Sequence, residues 1–387
     1  MKTFLKWLLR GFVVSLVLAL ALGIWQRERL ARLLAVNSLF SQEKIVTNFT
    51  DMRRLFETVD MPRGGGPVSP LPVGAPYALP IAVQDWIDAR SVTGLVILQH
   101  GRLRHESYYL GGDGDDQRIS WSVAKSFLSA LIGILIDEGA IASIDDPVTK
   151  YAPDLAGSAY DGATLRNVLQ MSSGVVFDED YLDFWSDINK MGRVLGLGGS
   201  MDGFAAGLDQ RFTDAGAQWK YVSIDTHIVG MVARGATGRS LPDLLNEKVL
   251  RPLGLEGSPY YITDGYGVAF VLGGLNMSTR DYARFGAMIA QGGQWNGNQI
   301  VPAAWIADSI APSAPTAPGE IGYGYQWRIP QGADAGVAMA HGIYGQYIYI
   351  DTARGVVIVV NAADRAFREA GVTDQNIAIF RQIARGL

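Results

Sequence analysis

The stretch QRISWSVAKSFLSALIGILIDEGAI, residues 117–141, decides the fold. From Val123 to Ile136 it is apolar on nearly every face and is interrupted mainly by small Ser and Gly residues. A helix that is apolar all round is buried at the centre of a globular protein. The polar residues that follow end in Gly139, and glycine is a common residue just after a helix. The sequence therefore predicts a buried central helix over 123–136.

Ser122 and Lys125 stand three residues apart at the start of this helix, so the hydroxyl and the ammonium share one face. A helix N-terminus and apolar surroundings both disfavour the charged form of lysine, which is what a lysine base requires. The spacing alone is not specific, because Ser41 and Lys44 repeat it in a polar segment. The residues leave two interpretations open: a catalytic pair, or a capping serine beside a lysine whose charge reaches solvent.

A second polar cluster lies about a hundred residues further on. Tyr221 and Ser223 come just before a helical pattern that ends at Gly235. A Tyr-x-Ser sequence at a helix start can direct a phenol and a hydroxyl from a loop into a cleft. The alternative is that Ser223 is an N-cap and that Tyr221 packs at the helix entry.

Two hairpins are predicted, one around residues 99–101 and one around residues 352–355, each between runs rich in β-branched residues. Gly342 and Gly345 lie inside the first run of the C-terminal hairpin. A glycine in a strand often marks the close approach of a ligand or of another backbone, and otherwise a bulge or a tight packing contact.

The composition excludes several classes of protein. The 387 residues carry 33 Lys and Arg, 38 Asp and Glu and a net charge of -5, which argues against a nucleic-acid-binding protein. The absence of cysteine excludes disulfides, thiolate zinc sites and a cysteine nucleophile. The four histidines form no metal-binding pattern, and no Walker, Rossmann or GxSxG motif is present, so neither a metal nor a cofactor is predicted.

The N-terminus has the layout of a targeting segment. Lys2, Lys6 and Arg10 precede an apolar or small run over 11–25. We interpret residues 1–26 as a signal sequence or an N-terminal membrane anchor, with the membrane as a partner through this segment. The protein is expected to be exported to the periplasmic side of the inner membrane, either anchored there or cleaved and soluble. Residues 27–82 are predicted to be a linker that wraps the domain surface.

In this order, Ser122-Val-Ala-Lys125, Tyr221-Val-Ser223 and Ala340-His341-Gly342 resemble the SxxK, YxN and KTG motifs of the serine β-lactamase and penicillin-binding-protein superfamily. Segments such as GGLNMSTRDYARFGAMI and GIYGQYIYID are most similar to the branch that contains 6-aminohexanoate-dimer hydrolase and related esterases.

The resemblance implies that residues 83–387 form one hydrolase domain with an α/β (α+β) fold. An antiparallel sheet flanked by helices is expected from about 83–121 and 265–387. A mostly helical subdomain is expected over about 122–264, with the site in the cleft between the two regions.

The resemblance also implies roles for individual residues. Ser122 would be the nucleophile, Lys125 its base and Tyr221 a proton relay to the leaving group. The backbone N–H groups of Ser122 and Ile343 would form an oxyanion hole. The residues expected to contact substrate are Tyr181, Ser223, His341, Gly342 and Trp327. For Tyr181 the alternative is packing at the cleft rim, and for Trp327 it is packing in the core.

Two departures from the motifs shape the functional hypothesis. Ala340-His341-Gly342 lacks the cation of KTG, and Ser223 replaces the Asn of YxN. Both point towards a small-molecule linear amide or carboxylic ester, hydrolysed through an acyl-enzyme on Ser122 without metal or cofactor. One alternative is a β-lactamase or D-alanyl-D-alanine carboxypeptidase. The other is a catalytically silent, membrane-anchored binding domain. The sequence does not predict the oligomeric state.

Overall fold

A computed structural model describes residues 2–25, 36 and 38–387 of the chain. The described residues form two principal antiparallel sheets, a short hairpin and helices on both sides of the larger sheet. The strands are β1 (Glu57–Asp60), β2 (Val92–Gln99), β3 (Arg102–Tyr108), β4 (Arg118–Ile119), β5 (Tyr260–Thr263), β6 (Leu275–Met277), β7 (Gln294–Trp295), β8 (Asn298–Gln299), β9 (Gly322–Tyr323), β10 (Arg328–Ile329), β11 (Val337–Gly342), β12 (Gln346–Asp351) and β13 (Val356–Ala362).

The helices, in chain order, are α1 (Lys2–Trp25), α2 (Ile45–Thr50), α3 (Ile81–Ala89), α4 (Ala124–Asp137), α5 (Leu165–Leu169), α6 (Asp187–Gly196), α7 (Met201–Ala206), α8 (Asp225–Thr237), α9 (Leu241–Leu245), α10 (Arg251–Leu253), α11 (Thr279–Ala290), α12 (Ala303–Ser309) and α13 (Val372–Gly386). Residues 246–250 form a π-helical turn between α9 and α10. Short 3₁₀ turns cover Met52–Arg54, Trp121–Val123, Val148–Lys150 and Pro153–Leu155.

The larger sheet has the order β3-β2-β13-β12-β11-β10-β9, so strands from both ends of the hydrolase domain lie side by side. Successive side chains of a strand point to opposite faces. Accordingly Leu95 and Ile97 pack with α3 and α13, whereas Val96 and Leu98 pack into the core that also contains α4 and α11. The result is a sheet covered on both faces, as expected for the predicted α/β class.

The predicted central helix is confirmed as α4, displaced by one residue at each end. Its residues 124–135 are all buried, and Gly139, with φ +76°, follows it. Gly133 permits close packing against α12, because a Cβ there would lie 2.3 Å from the Trp305 ring. The helix therefore holds its first turn at a fixed place beneath the sheet.

Both predicted hairpins are present. The prediction that the first run of the C-terminal hairpin is a single strand is wrong. This run contains β11, a turn over residues 343–345, and β12. The reversal places Tyr344 and Gly345 at positive φ, 59° and 87°. Gly342 therefore ends a strand, and Gly345 lies in the turn.

The second helical pattern also differs from its prediction. Helix α8 continues through Gly235 and ends before Gly238, whose φ of +67° suits glycine. Gly235 is instead needed for packing, because a Cβ there would lie 1.8 Å from the carbonyl oxygen of Tyr151. Ile224, and not Ser223, occupies the N-cap position.

The segment over 27–82, where the sequence predicts a linker, contributes to the fold over its described residues. Strand β1 pairs with β5 in a four-stranded sheet of order β1-β5-β6-β4. Phe49 and Met52 are buried in the main core. This second sheet ends at β4, which leads directly into the Ser122 turn.

The predicted N-terminal targeting segment corresponds to α1, whose described large apolar side chains are exposed. Among the described residues, no helix combines the length and the apolar character needed to cross a membrane. The prediction of a transmembrane anchor over 1–26 therefore finds no support, and a cleaved signal sequence stays a prediction.

Candidate active site

Ser122 lies in the 3₁₀ turn between β4 and α4, where the second sheet meets the buried helix. The preceding residue, Trp121, has a φ of 42°, which is unusual for a residue with a side chain. The turn leaves Ser122 half-buried in the wall of a cleft.

Lys125 lies one helical turn after Ser122 and its side chain is 2% exposed. Its ammonium donates a hydrogen bond of 3.4 Å to the carbonyl oxygen of Ser223. Burial, assisted by the charge of Arg328, lowers the pKa of Lys125 from 10.5 to about 7, although the charges of Glu179 and Asp225 oppose the change. A substantial fraction of Lys125 is therefore neutral near pH 7 and able to accept a proton. By contrast, Lys44 of the other SxxK sequence is exposed.

Glu179 is a site residue that the sequence analysis missed. Its carboxylate accepts hydrogen bonds from the backbone N–H and the hydroxyl of Ser223, the latter at 3.1 Å, and from the Tyr181 hydroxyl at 3.0 Å. Burial raises the pKa of Glu179, whereas these hydrogen bonds and the charge of Lys125 act in the opposite direction. Its position two residues before Tyr181 was the only available signal, in a segment that contains many other acidic residues.

Asp225, also missed, is completely buried, and its charge acts on Lys125. One carboxylate oxygen accepts hydrogen bonds of 2.8 Å from both Tyr160 and Ser173. Burial raises the pKa of Asp225 to about 7, partly offset by these bonds and by Lys125. Negative charge on Asp225 or on Glu179 raises the pKa of Lys125.

Tyr221 faces Lys125 and Ser122. The Lys125 ammonium lies 5.7 Å and the Arg328 guanidinium 4.6 Å from the centre of the Tyr221 ring. Burial raises the pKa of Tyr221, and Arg328 together with hydrogen bonding to Ser122 and Ser223 lowers it in part. The phenol is therefore protonated at neutral pH and can donate a proton to a leaving group.

Gly342 brings the end of β11 against the Ser122 turn. A Cβ at this position would lie 2.7 Å from the carbonyl oxygen of Ser120 and 3.0 Å from the backbone nitrogen of Ser122. Ile343, the next residue, lines the same cleft as Ser122, and within residues 38–387 its backbone N–H has no hydrogen-bond acceptor. Glycine is thus required where the sequence analysis placed an oxyanion hole formed by the N–H groups of Ser122 and Ile343.

His341 lines the cleft with its ring stacked on Tyr347, at 4.5 Å between ring centres. Burial and the neighbouring Arg328 hold the pKa of His341 well below its usual value. A histidine held neutral can exchange hydrogen bonds but does not replace a permanent cation.

The cleft has a volume of about 350 Å³. It brings together the predicted residues Ser122, Tyr181, Tyr221, His341, Gly342 and Ile343. Trp327 does not line the cleft. It is 1% exposed and packs parallel to Phe285 in the core, so the expected substrate contact is wrong and the alternative, packing in the core, is correct. Ser223 is 1% exposed and reaches the site through Lys125 and Glu179 rather than by lining the cleft.

Four aromatic side chains support the two turns of the site, and we call them the aromatic clamp: Phe40, Phe49, Trp121 and Tyr344. Phe40 stacks on Tyr344 at 4.7 Å, and Phe49 lies 5.6 Å from Trp121 and 5.5 Å from Tyr344. Trp121 precedes Ser122 and Tyr344 follows Ile343. The N-terminal segment therefore packs directly behind the predicted nucleophile and oxyanion hole.

The described part of the chain contains no group of three or more His, Asp or Glu side chains arranged to hold a metal ion.

Comparison with known proteins agrees with this geometry. The sequence profile of the Beta-lactamase family matches residues 87–381. A 6-aminohexanoate-dimer hydrolase from Paenarthrobacter ureafaciens is 30% identical over 291 residues, which cover 72% of this chain and 74% of that protein.

Solved structures share the fold. The structure of a "putative 6-aminohexanoate-dimer hydrolase" from Bacillus anthracis has a TM-score of 0.80 at 22% identity and covers 90% of this chain and 95% of its own. A family VIII carboxylesterase has a TM-score of 0.59 at 16% identity over 86% of this chain and 100% of its own.

Proposed function

Because the chain belongs to the Beta-lactamase family, we propose that it hydrolyses carboxylic esters or linear amides through an acyl-enzyme formed on Ser122. The observation that carries the proposal is Lys125, buried one helical turn from Ser122 with a pKa lowered to about 7. A buried lysine of this kind is costly to a fold, and a nucleophile beside it gives it a use as a base.

The proposed reaction begins when neutral Lys125 takes the proton of Ser122 and the serine oxygen attacks the carbonyl carbon of the substrate. The negative charge that develops on the carbonyl oxygen is stabilised by the N–H groups of Ser122 and Ile343. Cleavage of the bond to the leaving group then yields the acyl-enzyme. Tyr221 donates a proton to the departing alcohol or amine, and the protonated Lys125 then returns a proton to Tyr221.

In the second half, a water molecule loses a proton to the same Tyr221 and Lys125 pair and attacks the acyl carbonyl. The ester bond to Ser122 breaks, the serine regains its proton, and the carboxylic acid leaves. Division of the reaction into two steps lets one set of groups act first as base and then as acid.

The side chains at the end of β11 support the proposal that the substrates are linear esters or amides. Ala340, His341 and Gly342 offer no permanent cation, because the pKa of His341 lies well below its usual value. The sequence match to a protein named 6-aminohexanoate-dimer hydrolase, whose name describes hydrolysis of a dimer of an amino acid, supports an amide substrate.

The test measures hydrolysis of p-nitrophenyl butyrate and of a linear amide by the purified protein and three variants. Ser122→Ala is expected to lower kcat/KM at least about 10³-fold, and Tyr221→Phe about 10²-fold. Ser41→Ala is the matched control, since it alters the other SxxK serine, and its activity should equal that of the wild type.

Unchanged activity in Ser122→Ala would overturn the mechanism. A chromogenic cephalosporin measured in parallel separates the main alternative, because rapid cephalosporin turnover without esterase or amidase activity would identify a β-lactamase instead.

A further inference from the structure

Five large apolar side chains are exposed at the two ends of α6, and we call them the apolar rim: Leu182, Phe184, Trp185, Leu197 and Tyr266. The most exposed are Leu182 at 86%, Tyr266 at 75% and Trp185 at 70%. Three of the five lie in the loop before α6, where the Phe184 and Trp185 rings are 4.9 Å apart. Exposed apolar side chains grouped in this way mark a site of contact with another apolar surface.

The other two members of the rim lie at the far end of α6. Leu197 follows the last residue of the helix, and Tyr266 lies in a turn that packs against the residue after Leu197. A Cβ on Gly265 would lie 2.1 Å from the carbonyl oxygen of Gly198, so the two backbones are in direct contact. Because α6 has 10 residues, it is about 15 Å long. The apolar rim therefore extends along one helix and is not confined to one loop.

The N-terminal segment reaches the folded domain at the same helix. The side chain of Val36 lies 3.6 Å from the position that a Cβ on Gly196 would take. Helix α1 ends at Trp25, and a fully extended chain from Trp25 to Val36 spans at most about 40 Å. The described large apolar side chains of α1 are exposed, among them Trp7 at 67%. Two exposed apolar surfaces of this chain are thus held within reach of one another.

Arg193 supplies a cation at the rim. Its guanidinium lies 4.2 Å from the centre of the Phe184 ring and 5.8 Å from that of the Trp185 ring, and it donates a hydrogen bond of 2.6 Å to the Phe184 carbonyl oxygen. Within residues 38–387 no carboxylate lies at salt-bridge distance from this guanidinium. A guanidinium forms paired hydrogen bonds with phosphate oxygens, and the long arginine side chain can direct its charge outwards from an apolar surface. Arg193 is therefore suited to a phosphate at the edge of an apolar phase.

The acidic side chains near the rim do not oppose contact with a membrane surface. Asp187 is paired with Lys190 at 2.9 Å, and Asp180 with Arg368 at 2.9 Å. Residues 182–197 contain two Asp, one Lys and one Arg, so their formal net charge is zero. Contact with lipid would therefore depend on apolar side chains and on the phosphate contact of Arg193, and not on a net positive charge.

We propose that the apolar rim docks on the surface of a phospholipid bilayer, with its side chains among the headgroups and Arg193 on a lipid phosphate. Trp and Tyr are enriched at membrane interfaces, because an apolar ring with a polar N–H or O–H suits the boundary between lipid and water. Tyr181, which lines the cleft, directly precedes Leu182, so docking places the mouth of the cleft beside the bilayer. Docking of the rim is independent of the proposed hydrolase function.

The absence of cysteine from the chain allows a probe at a single chosen position. Leu182→Cys and Leu197→Cys are each labelled with the fluorophore NBD in the full-length protein, which is then mixed with vesicles of phosphatidylethanolamine and phosphatidylglycerol. Val73→Cys and Ile81→Cys are the matched controls, because both side chains are apolar and are 75% and 76% exposed. They lie elsewhere in the fold: Val73 pairs with Leu103 of β3, and Ile81 begins α3.

Insertion by about 5–10 Å into the headgroup region should brighten the probes at 182 and 197 at least about twofold and shift their emission to shorter wavelength. Lipids that carry a doxyl group should quench these two probes, and the probes at 73 and 81 should show neither effect. In the Phe184→Ser/Trp185→Ser double variant, the probe at 197 should lose most of its response. The Val73→Ser/Ile81→Ser double variant should leave that response unchanged, and circular dichroism checks the folding of each variant.

Four results would overturn the proposal. The protein fails to sediment with the vesicles, or it sediments while the probes at 182 and 197 respond no more than those at 73 and 81. Brightening that rises with protein concentration in the absence of vesicles would assign the rim to contact between two copies of the chain. Brightening on addition of p-nitrophenyl butyrate without vesicles would assign it to closure over the cleft.

Discussion

The protonation state of Lys125 depends on its burial and on the charges around it. Burial and Arg328 lower its pKa, whereas Glu179 and Asp225 raise it, and the balance lies at about 7. In the proposed mechanism only the neutral amine accepts the Ser122 proton. Activity is therefore expected to increase as the pH rises through this pKa and to decrease when the pH is lowered further.

Replacement of Glu179 by Gln should displace this pH dependence. Removing a negative charge makes the charged form of Lys125 less favourable, so its pKa falls and the acid limb of kcat/KM moves to lower pH, by roughly one unit. The measurement is the pH profile of ester hydrolysis. Asp178→Asn is the control, because Asp178 is adjacent in sequence but exposed, and its profile should match the wild type. A limb that moves to higher pH in Glu179→Gln would contradict the electrostatic account.

The burial that lowers the pKa of Lys125 also destabilises the fold. An unfolded chain binds the lysine proton up to pH 10.5, but the folded protein releases it near pH 7, so the unfolded state holds more protons between these values. The free energy of unfolding consequently rises with pH in this window, and the cost at pH 7 is about 4 kcal/mol.

Lys125→Met is therefore expected to be inactive but more stable than the wild type at pH 7, with a Tm higher by several degrees. At pH 10 most of the cost has disappeared, and the advantage should shrink to about 1 kcal/mol. Thermal or denaturant unfolding at both pH values checks this. A variant less stable than the wild type at pH 7 would show that Lys125 is not strained by burial.

The approach of β11 to the Ser122 turn is set by one glycine. A Cβ at Gly342 would lie 2.7 Å from the Ser120 carbonyl oxygen and 3.0 Å from the Ser122 nitrogen, and these are backbone atoms that cannot move independently. The strand or the turn must then shift, and the two N–H groups of the proposed oxyanion hole, those of Ser122 and Ile343, would separate.

Gly342→Ala should thus lower kcat about 10²-fold, the scale of losing one oxyanion-hole donor, while the protein stays folded. Steady-state kinetics and circular dichroism provide the measurement. Gly192→Ala in α6 is the matched control, because a Cβ there meets no atom within 4 Å and activity should be unchanged. A wild-type kcat in Gly342→Ala would show that Gly342 is not needed to position these two N–H groups.

Local pattern was sufficient to predict the central helix, because α4 is apolar all round and carries one polar pair at its start. The same holds for Gly342, since a glycine in a β-rich run indicates close approach. Glu179 and Arg328 could not be predicted this way: each is one charge among many, and their significance comes from neighbours that are distant in sequence. Residues 57–60 were missed as a strand for a related reason, because their partner strand lies about 200 residues away.

The whole molecule connects the N-terminal segment to the site. Residues 38–61 pass beneath both turns of the cleft, add β1 to the second sheet and provide two side chains of the aromatic clamp. The segment that the sequence predicts to be a linker thus packs against Trp121 and Tyr344. These two residues are adjacent in the sequence to Ser122 and Ile343.

Phe49→Ala tests this connection. Removing this buried ring should lower the free energy of unfolding by about 3–4 kcal/mol, and kcat of the folded enzyme should fall, because Trp121 and Tyr344 lose support. Phe380→Ala is the control: that ring is equally buried, in the core on the opposite face of the sheet, so stability should fall similarly with kcat preserved. Equal kcat in both variants, measured where both are folded, would contradict a positioning role for the segment.

The central claim is that Ser122 forms the acyl-enzyme, and its most direct test is covalent trapping. The protein is reacted with a fluorophosphonate or briefly with p-nitrophenyl butyrate, and the modified residue is located by mass spectrometry of the intact protein and its peptides. The account predicts one added group, on the peptide containing Ser122, and none in Ser122→Ala. Modification at another serine, such as Ser41, or persistence of the label in Ser122→Ala would contradict it.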